Sequence, residues 1–147
     1  MGDFKKLLVW RKAHALSISV HRIASKMRGP GMAALRNQMV RAALSIPTNI
    51  VEGHGQESPR QFTRFLGYSI NSGAELEQHL LTGQALGTVS ETDFDSVMTE
   101  LVEIRKMIYG LRQSCTRRAE RRDLATAEGP ATSCGNIQGQ GDSDSSQ

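Results

Sequence analysis

The sequence predicts an all-α fold, an antiparallel up-down four-helix bundle with a disordered C-terminal tail, and three observations carry that prediction. Apolar residues recur at alternating steps of three and four in four separate stretches, as amphipathic helices require. Aromatic residues are scarce at 5%, and the apolar content comes mainly from Leu, Ile, Val, Met and Ala, a mixture suited to helices more than to sheets. Short connections separate the stretches, and no strand pattern competes with them.

Val9, Ala13, Leu16, Val20, Ile23 and Met27 form the apolar stripe of the first helix, and Gly29-Pro30-Gly31 breaks the chain after it. The second helix runs from about Ala33 to Glu52 with Leu35, Met39, Ala43, Ile46 and Ile50 on its inner face. Pro47 falls inside it. Proline lacks the amide donor and crowds the carbonyl four residues back, so a kink is expected, with the apolar spacing continuing across it. Gly53-His54-Gly55 ends this helix. Ser58-Pro59-Arg60-Gln61 starts the third, with Ser58 as N-cap, Pro59 at the first helical position and Gln61 closing a capping box. Phe62, Leu66, Ser69, Gly73, Leu76 and Leu80 repeat with a heptad rhythm, and Ser69, Ser72, Gly73 and Ala74 leave room for another helix to approach closely. Leu86-Gly87 closes that element. Ser90 with Asp93 caps the fourth helix, whose stripe is Phe94, Val97, Leu101, Ile104, Ile108 and Leu111. The bundle domain is expected to span residues 1–122. Residues 123–147 read as a polar tail too poor in large apolar side chains to offset the entropy of ordering it.

No apolar run approaches the roughly 18–20 residues that cross a bilayer, so no membrane association and a cytoplasmic protein are expected. At the N-terminus Lys5 and Lys6 precede too few apolar residues for a signal peptide, and Lys6 stands where a myristoylation signal requires Ser or Thr. Cys115 and Cys134, near or beyond the end of the expected fold, form neither a CxxC pair nor a dense disulfide framework and read as free thiols. Catalytic signatures are missing. His14 and His21 are too far apart for an HExxH site, no ExxH pairs occupy facing helices, and neither serine near a glycine forms GxSxG. Gly53 and Gly55 ahead of a helix could hold an anion, but no strand precedes them, and they read more simply as a turn. No catalytic, cofactor-binding or metal-binding residues are therefore expected, and the chain reads as a non-enzyme.

The net charge of +3 conceals segregation. Residues 1–72 hold 11 Lys/Arg against 3 Asp/Glu, and residues 73–111 hold 2 against 7. Residues 112–122 return to 5 against 1, and residues 123–147 carry 4 acidic residues and no basic ones. Arg11, Arg22 and Lys26 share one side of the first helix. Arg60 and Arg64 line the start of the third, where they oppose the local dipole. Arg112, Arg117, Arg118, Arg121 and Arg122 form a dense run that reads as following the last helix. Such clusters suit salt-dependent contacts to phosphates, which makes RNA or DNA a candidate partner. Few aromatics are placed for stacking on single-stranded bases. The competing reading is a protein-interaction scaffold whose charged faces serve only assembly.

A polar stripe runs beside the apolar one on the second helix, through Gln38, Ala42, Ser45, Asn49 and Glu52, with Arg41 at its flank. The third helix carries a comparable row in Phe65, Tyr68, Ser72, Glu75 and His79. If the rows face each other, Arg41 pairs with Glu75 or Glu52, and Asn49 takes up a carbonyl left free by Pro47. Such a network fixes register or a subunit interface at some desolvation cost.

Together these residues resemble a known family. The opening Phe4 to His14 is similar to the start of the bacterial four-helix-bundle proteins related to those encoded in 23S ribosomal RNA intervening sequences. Gln38, Arg41-Ala42-Ala43, Ser45-Ile46-Pro47, Asn49-Ile50 and Glu52-Gly53 resemble that family's main block, and Phe65-Leu66, Ser72 and Glu75-Leu76 a second one. The resemblance covers roughly residues 4–115. In one departure, Asn71 stands before Ser72 where many members have glycine. The resemblance implies a cytoplasmic bundle without established enzymatic activity that assembles into a ring-like homo-oligomer, a pentamer. It also implies a relative that serves diversity-generating retroelements by binding nucleic acid and a reverse transcriptase.

Overall fold

The computed structural model describes residues 2–129; Cys134 and the tail expected over residues 130–147 lie outside the described residues. A 3-10 turn at Phe4–Lys6 precedes four helices: α1 (Leu8–Lys26), α2 (Met32–His54), α3 (Pro59–Ala85) and α4 (Glu91–Ala127). Each helix packs on its sequence neighbours, α4 closes against α1, and the α2–α3 seam is the most extensive.

Every residue of the α1 stripe is buried, as are Met39, Ala43, Ile46 and Ile50 of α2, with Leu35 packed at the margin. Leu66, Leu76 and Leu80 of α3 meet Val97, Leu101, Ile104 and Ile108 of α4 in the same core. Pro47 is buried within an unbroken α2. Positive φ angles at Gly29 (118°) and Gly31 (78°) turn the chain between α1 and α2, a backbone that side chains with a Cβ resist. Arg36 then donates from Nη1 to the Met27 carbonyl at 3.0 Å, satisfying an end of α1.

Four ion pairs among the described residues mark the helix register. Lys12 meets Glu103 at 2.7 Å and Lys26 meets Asp93 at 3.0 Å, so α1 and α4 run antiparallel. Arg105 meets Glu77 at 2.7 Å, and Arg60 pairs with Asp123, which aligns α3 with α4 along almost its whole length. Exposed pairs of this kind contribute little stability, but their positions report the alignment.

The structure corrects the sequence reading at α4. The helix does not end near Leu111: it carries the arginine run and continues through Asp123–Ala127, assigned above to the tail. Cys115 and Ala119 are buried and extend the apolar seam by further steps of four. Cys115 is therefore a core residue, and burial pushes its thiol pKa up, with Arg118 acting in the opposite direction. The thiol stays protonated and poorly nucleophilic at neutral pH.

The polar rows do meet, although with different partners. Ser69 Oγ donates to the Ile46 carbonyl at 2.9 Å across the α2–α3 seam. Asn49 Nδ2 lies 3.0 Å from Ser45 Oγ, Ser45 Oγ lies 2.8 Å from Ser72 Oγ, and Ser72 Oγ lies 3.0 Å from the Tyr68 carbonyl. Donation in that order uses each hydroxyl proton once and ends on a carbonyl acceptor. Asn49 also donates to the Ser45 carbonyl at 2.9 Å. That is not the carbonyl freed by Pro47, which belongs to Ala43, because Asn49 reaches back one turn along its own helix. Arg41, Glu52 and Glu75 are exposed and take part in none of the four ion pairs, so the expected Arg41 bridge does not form. Ser58 caps α3 by its extended backbone alone; its side chain makes no cap hydrogen bond, and the expected capping box with Gln61 is not made. Ser90 does cap α4, accepting from the Asp93 amide at 3.1 Å. Asn71 is exposed, so its side chain does not enter the seam beside Ser72.

Ser72→Ala is expected to lower stability by about 1 kcal/mol, because it leaves Ser45 without its hydroxyl neighbour at a half-buried seam. A urea titration reading no change would show that water replaces the link.

Candidate nucleic-acid interface

The antiparallel register gathers one set of arginines at one end of the bundle. The first turns of α3 bring Arg60 and Arg64 there, and the last turns of α4 bring Arg117, Arg118, Arg121 and Arg122, all exposed. Arg112 belongs to the same region, with its guanidinium beside Gly67. Arg11 sits near the start of α1 on its outward side. Arg22 and Lys26 lie at the opposite end, and Lys26 is engaged by Asp93. The single basic side read from α1 therefore separates from the arginine-rich end, which α3 and α4 build alone.

Three of these side chains are held by their own fold. Arg60 is paired with Asp123, which offsets the unfavourable charge at the α3 N-terminus. Arg64 donates from Nε to Tyr68 Oη at 2.6 Å, with its guanidinium 5.7 Å from the ring centroid. Arg122 Nη1 reaches the Glu57 carbonyl at 3.4 Å, in the connection between α2 and α3. No hydrogen bond or ion pair engages Arg117, Arg118 or Arg121 among the described residues, so their donors face solvent. These arginines follow the point, after Leu111, where the apolar signal fades, so the residues alone place them beyond the last helix. Cys115 and Ala119 carry it on at the right spacing, but both are small.

The motif residues of α2 divide by face. Ser45 and Asn49 enter the α2–α3 seam, where Ser72 meets them. Gln38 and Arg41 line a solvent-open groove of about 660 Å³ beside His21 and Ser25, and Glu52 and Glu75 are exposed. Gly53 is consumed by packing: a Cβ there would lie 2.7 Å from Phe62 Cδ2 and 2.8 Å from Phe65 Cβ, so it is a contact glycine of the seam and not an anion cradle. Among the described residues no group of three His, Cys, Asp or Glu side chains is placed to hold a metal ion. No helix among them is long and apolar enough to cross a membrane.

The profile of the 23S rRNA-intervening sequence proteins matches residues 5–110. The chain belongs to that family. Comparison with curated proteins finds no match. A solved structure from Bacteroides thetaiotaomicron, a protein with unknown function from the S23 ribosomal protein family, shares the fold at a TM-score of 0.65 and 17% identity. The similarity spans 71% of this chain and 98% of that one. The 23S rRNA-intervening sequence profile takes in the α2 and α3 motif blocks and stops just short of Arg112. The arginine-bearing end of α4 therefore lies outside the matched segment, and only Arg60 and Arg64 of the gathered cluster fall within it.

Proposed function

We propose that this member of the 23S rRNA-intervening sequence family is a non-enzymatic, cytoplasmic homo-oligomer that binds RNA or DNA, or a ribonucleoprotein, through its arginine-rich end. The observation that carries this reading is the convergence of α3 and α4 termini that sets Arg117, Arg118 and Arg121, which have no partner among the described residues, beside Arg60, Arg64, Arg112 and Arg122. Guanidinium groups suit phosphate because their donors match its oxygens two at a time. Self-assembly, a pentamer by family resemblance, is supported by Gln38, Arg41, Glu52 and Glu75. Their side chains are exposed and make no hydrogen bond or ion pair among the described residues, as expected of groups that meet a neighbouring copy.

Filter binding of the full chain to nucleic acid is expected to weaken steeply between about 50 and about 200 mM salt, as counterion release requires. No binding at the low end would overturn the nucleic-acid reading and favour a pure assembly scaffold. Light scattering tests the assembly independently: a particle near 16.1 kDa is a monomer and contradicts it.

A further inference from the structure

We infer that the side of α4 running past the start of α1 seats the phosphate backbone of a double helix. This rests on the nucleic-acid reading above and assigns it a seat and a form of ligand. Within the bundle, α1 covers one side of α4 and meets acidic residues there: Lys26 on Asp93, Lys12 on Glu103, with Glu100 lining the same seam. Since Lys12 is level with Glu103, Leu8 at the start of α1 stands near Met107. α4 then continues to Ala127, about 30 Å further, with α3 still beside it but no α1. The leading segment does not fill the vacated seam. Phe4 packs edge-on against Trp10, which lies across α1 from Lys12, and Gly2 is tied by its carbonyl to His54 Nε2 at 2.9 Å.

Charge on this side of α4 reverses where α1 ends. Glu103 and Arg121 are separated by about five whole turns, so they point the same way, and Arg117 and Arg118 flank that line. Asp93 is likewise in phase with Arg118 and Arg122. A surface that is acidic against the lysines of α1 becomes arginine-rich once α1 is gone, so its occupant is anionic. Arg117, Arg118, Arg121 and Arg122 fall within about 8 Å of helix rise with Glu120 among them, a net of three positive charges, about one per 2.5 Å. A duplex offers about one phosphate charge per 1.7 Å of axis against about one per 3.4 Å for a single strand, so a compact, net-positive cluster gains more from the duplex. α4 carries no aromatic on the arginine line, and Tyr68 of α3 is taken up by Arg64. Tyr109, the one aromatic of α4 after Phe94, lies about a third of a turn away from the Arg121 line.

The test uses fluorescence anisotropy of the full chain with short RNA and DNA duplexes and their separated strands, across about 50 to about 200 mM salt. Duplex is expected to bind tighter than either strand. R117Q/R118Q/R121Q is expected to weaken duplex binding about a hundredfold and to lower the salt slope by about 2.7. R117K/R118K/R121K retains most of the affinity, which separates lost charge from lost structure, and circular dichroism checks the helix in each variant. R11Q/R22Q, on the outward side of α1, leaves binding nearly unchanged. Binding that survives the glutamine substitutions, or falls equally in R11Q/R22Q, overturns the seat while leaving nucleic-acid binding intact. Tighter binding of single strands overturns the duplex assignment. Capture of a polyglutamate peptide with no affinity for any nucleic acid overturns both this inference and the proposed function.

Discussion

Leu101→Ala is expected to destabilise the protein by about 3 kcal/mol, measured as a shift in the urea midpoint. Leu101 is 1% exposed, and its Cδ1 lies 3.3 Å from where a Cβ on Gly73 would stand, with Ile46 Cδ1 close by. Truncation therefore opens a void beside a glycine, which has no side chain to move into it. The cost depends on how far surrounding groups relax, and here one wall is α3 backbone. Set against a total stability of about 5–15 kcal/mol, such a loss is large. A change below about 1 kcal/mol would show that α3 and α4 close over the gap.

Gly53→Ala is expected to cost about 2 kcal/mol for the opposite reason, overpacking. The added methyl meets the Phe62 ring at 2.7 Å and the Phe65 Cβ at 2.8 Å, and the latter is fixed to the α3 backbone. The helices must part locally. Alanine's better helix propensity returns at most about 1 kcal/mol, less near a helix end. The same titration checks it. A stabilised Gly53→Ala variant would mean that the α2–α3 seam is looser than the contact distances imply.

Most of the architecture is legible in the residues because strong breaks separate stretches in which apolar side chains, most of them large, recur at helical spacing. The stripe Val9 to Met27 is buried without exception, and the Ser90 cap forms as its sequence suggests. Legibility fails where the packing residues are small. After Leu111 the seam of α4 continues only through Cys115 and Ala119, side chains that weigh little in a hydrophobic pattern, and four of the next arginines mask them further. Side-chain pairing was also harder to read than side-chain placement. Ser45, Asn49 and Ser72 share a seam as their spacing implies, but Asn49 prefers a carbonyl in its own helix and Arg41 points outward. A helical wheel gives the direction of a residue and says nothing of which of several nearby acceptors it takes. The candidate interface was visible as composition and invisible as a place: the antiparallel register, which pairs such as Arg60–Asp123 report, decides which basic residues share an end.

The aromatic ladder at the start of α1 has a spectroscopic consequence. Trp10 is the chain's single tryptophan, stacked on His14 with centroids 5.0 Å apart and planes 9° from parallel, while Phe4 abuts it at 74°. Indole emission from this protein therefore reports one locality. Wavelength and intensity follow the fastening of the leading segment onto α1, whereas the far end of α4 is dark to this probe. A denaturation curve followed by tryptophan light and one followed by far-ultraviolet ellipticity will coincide only if that corner lets go together with the rest.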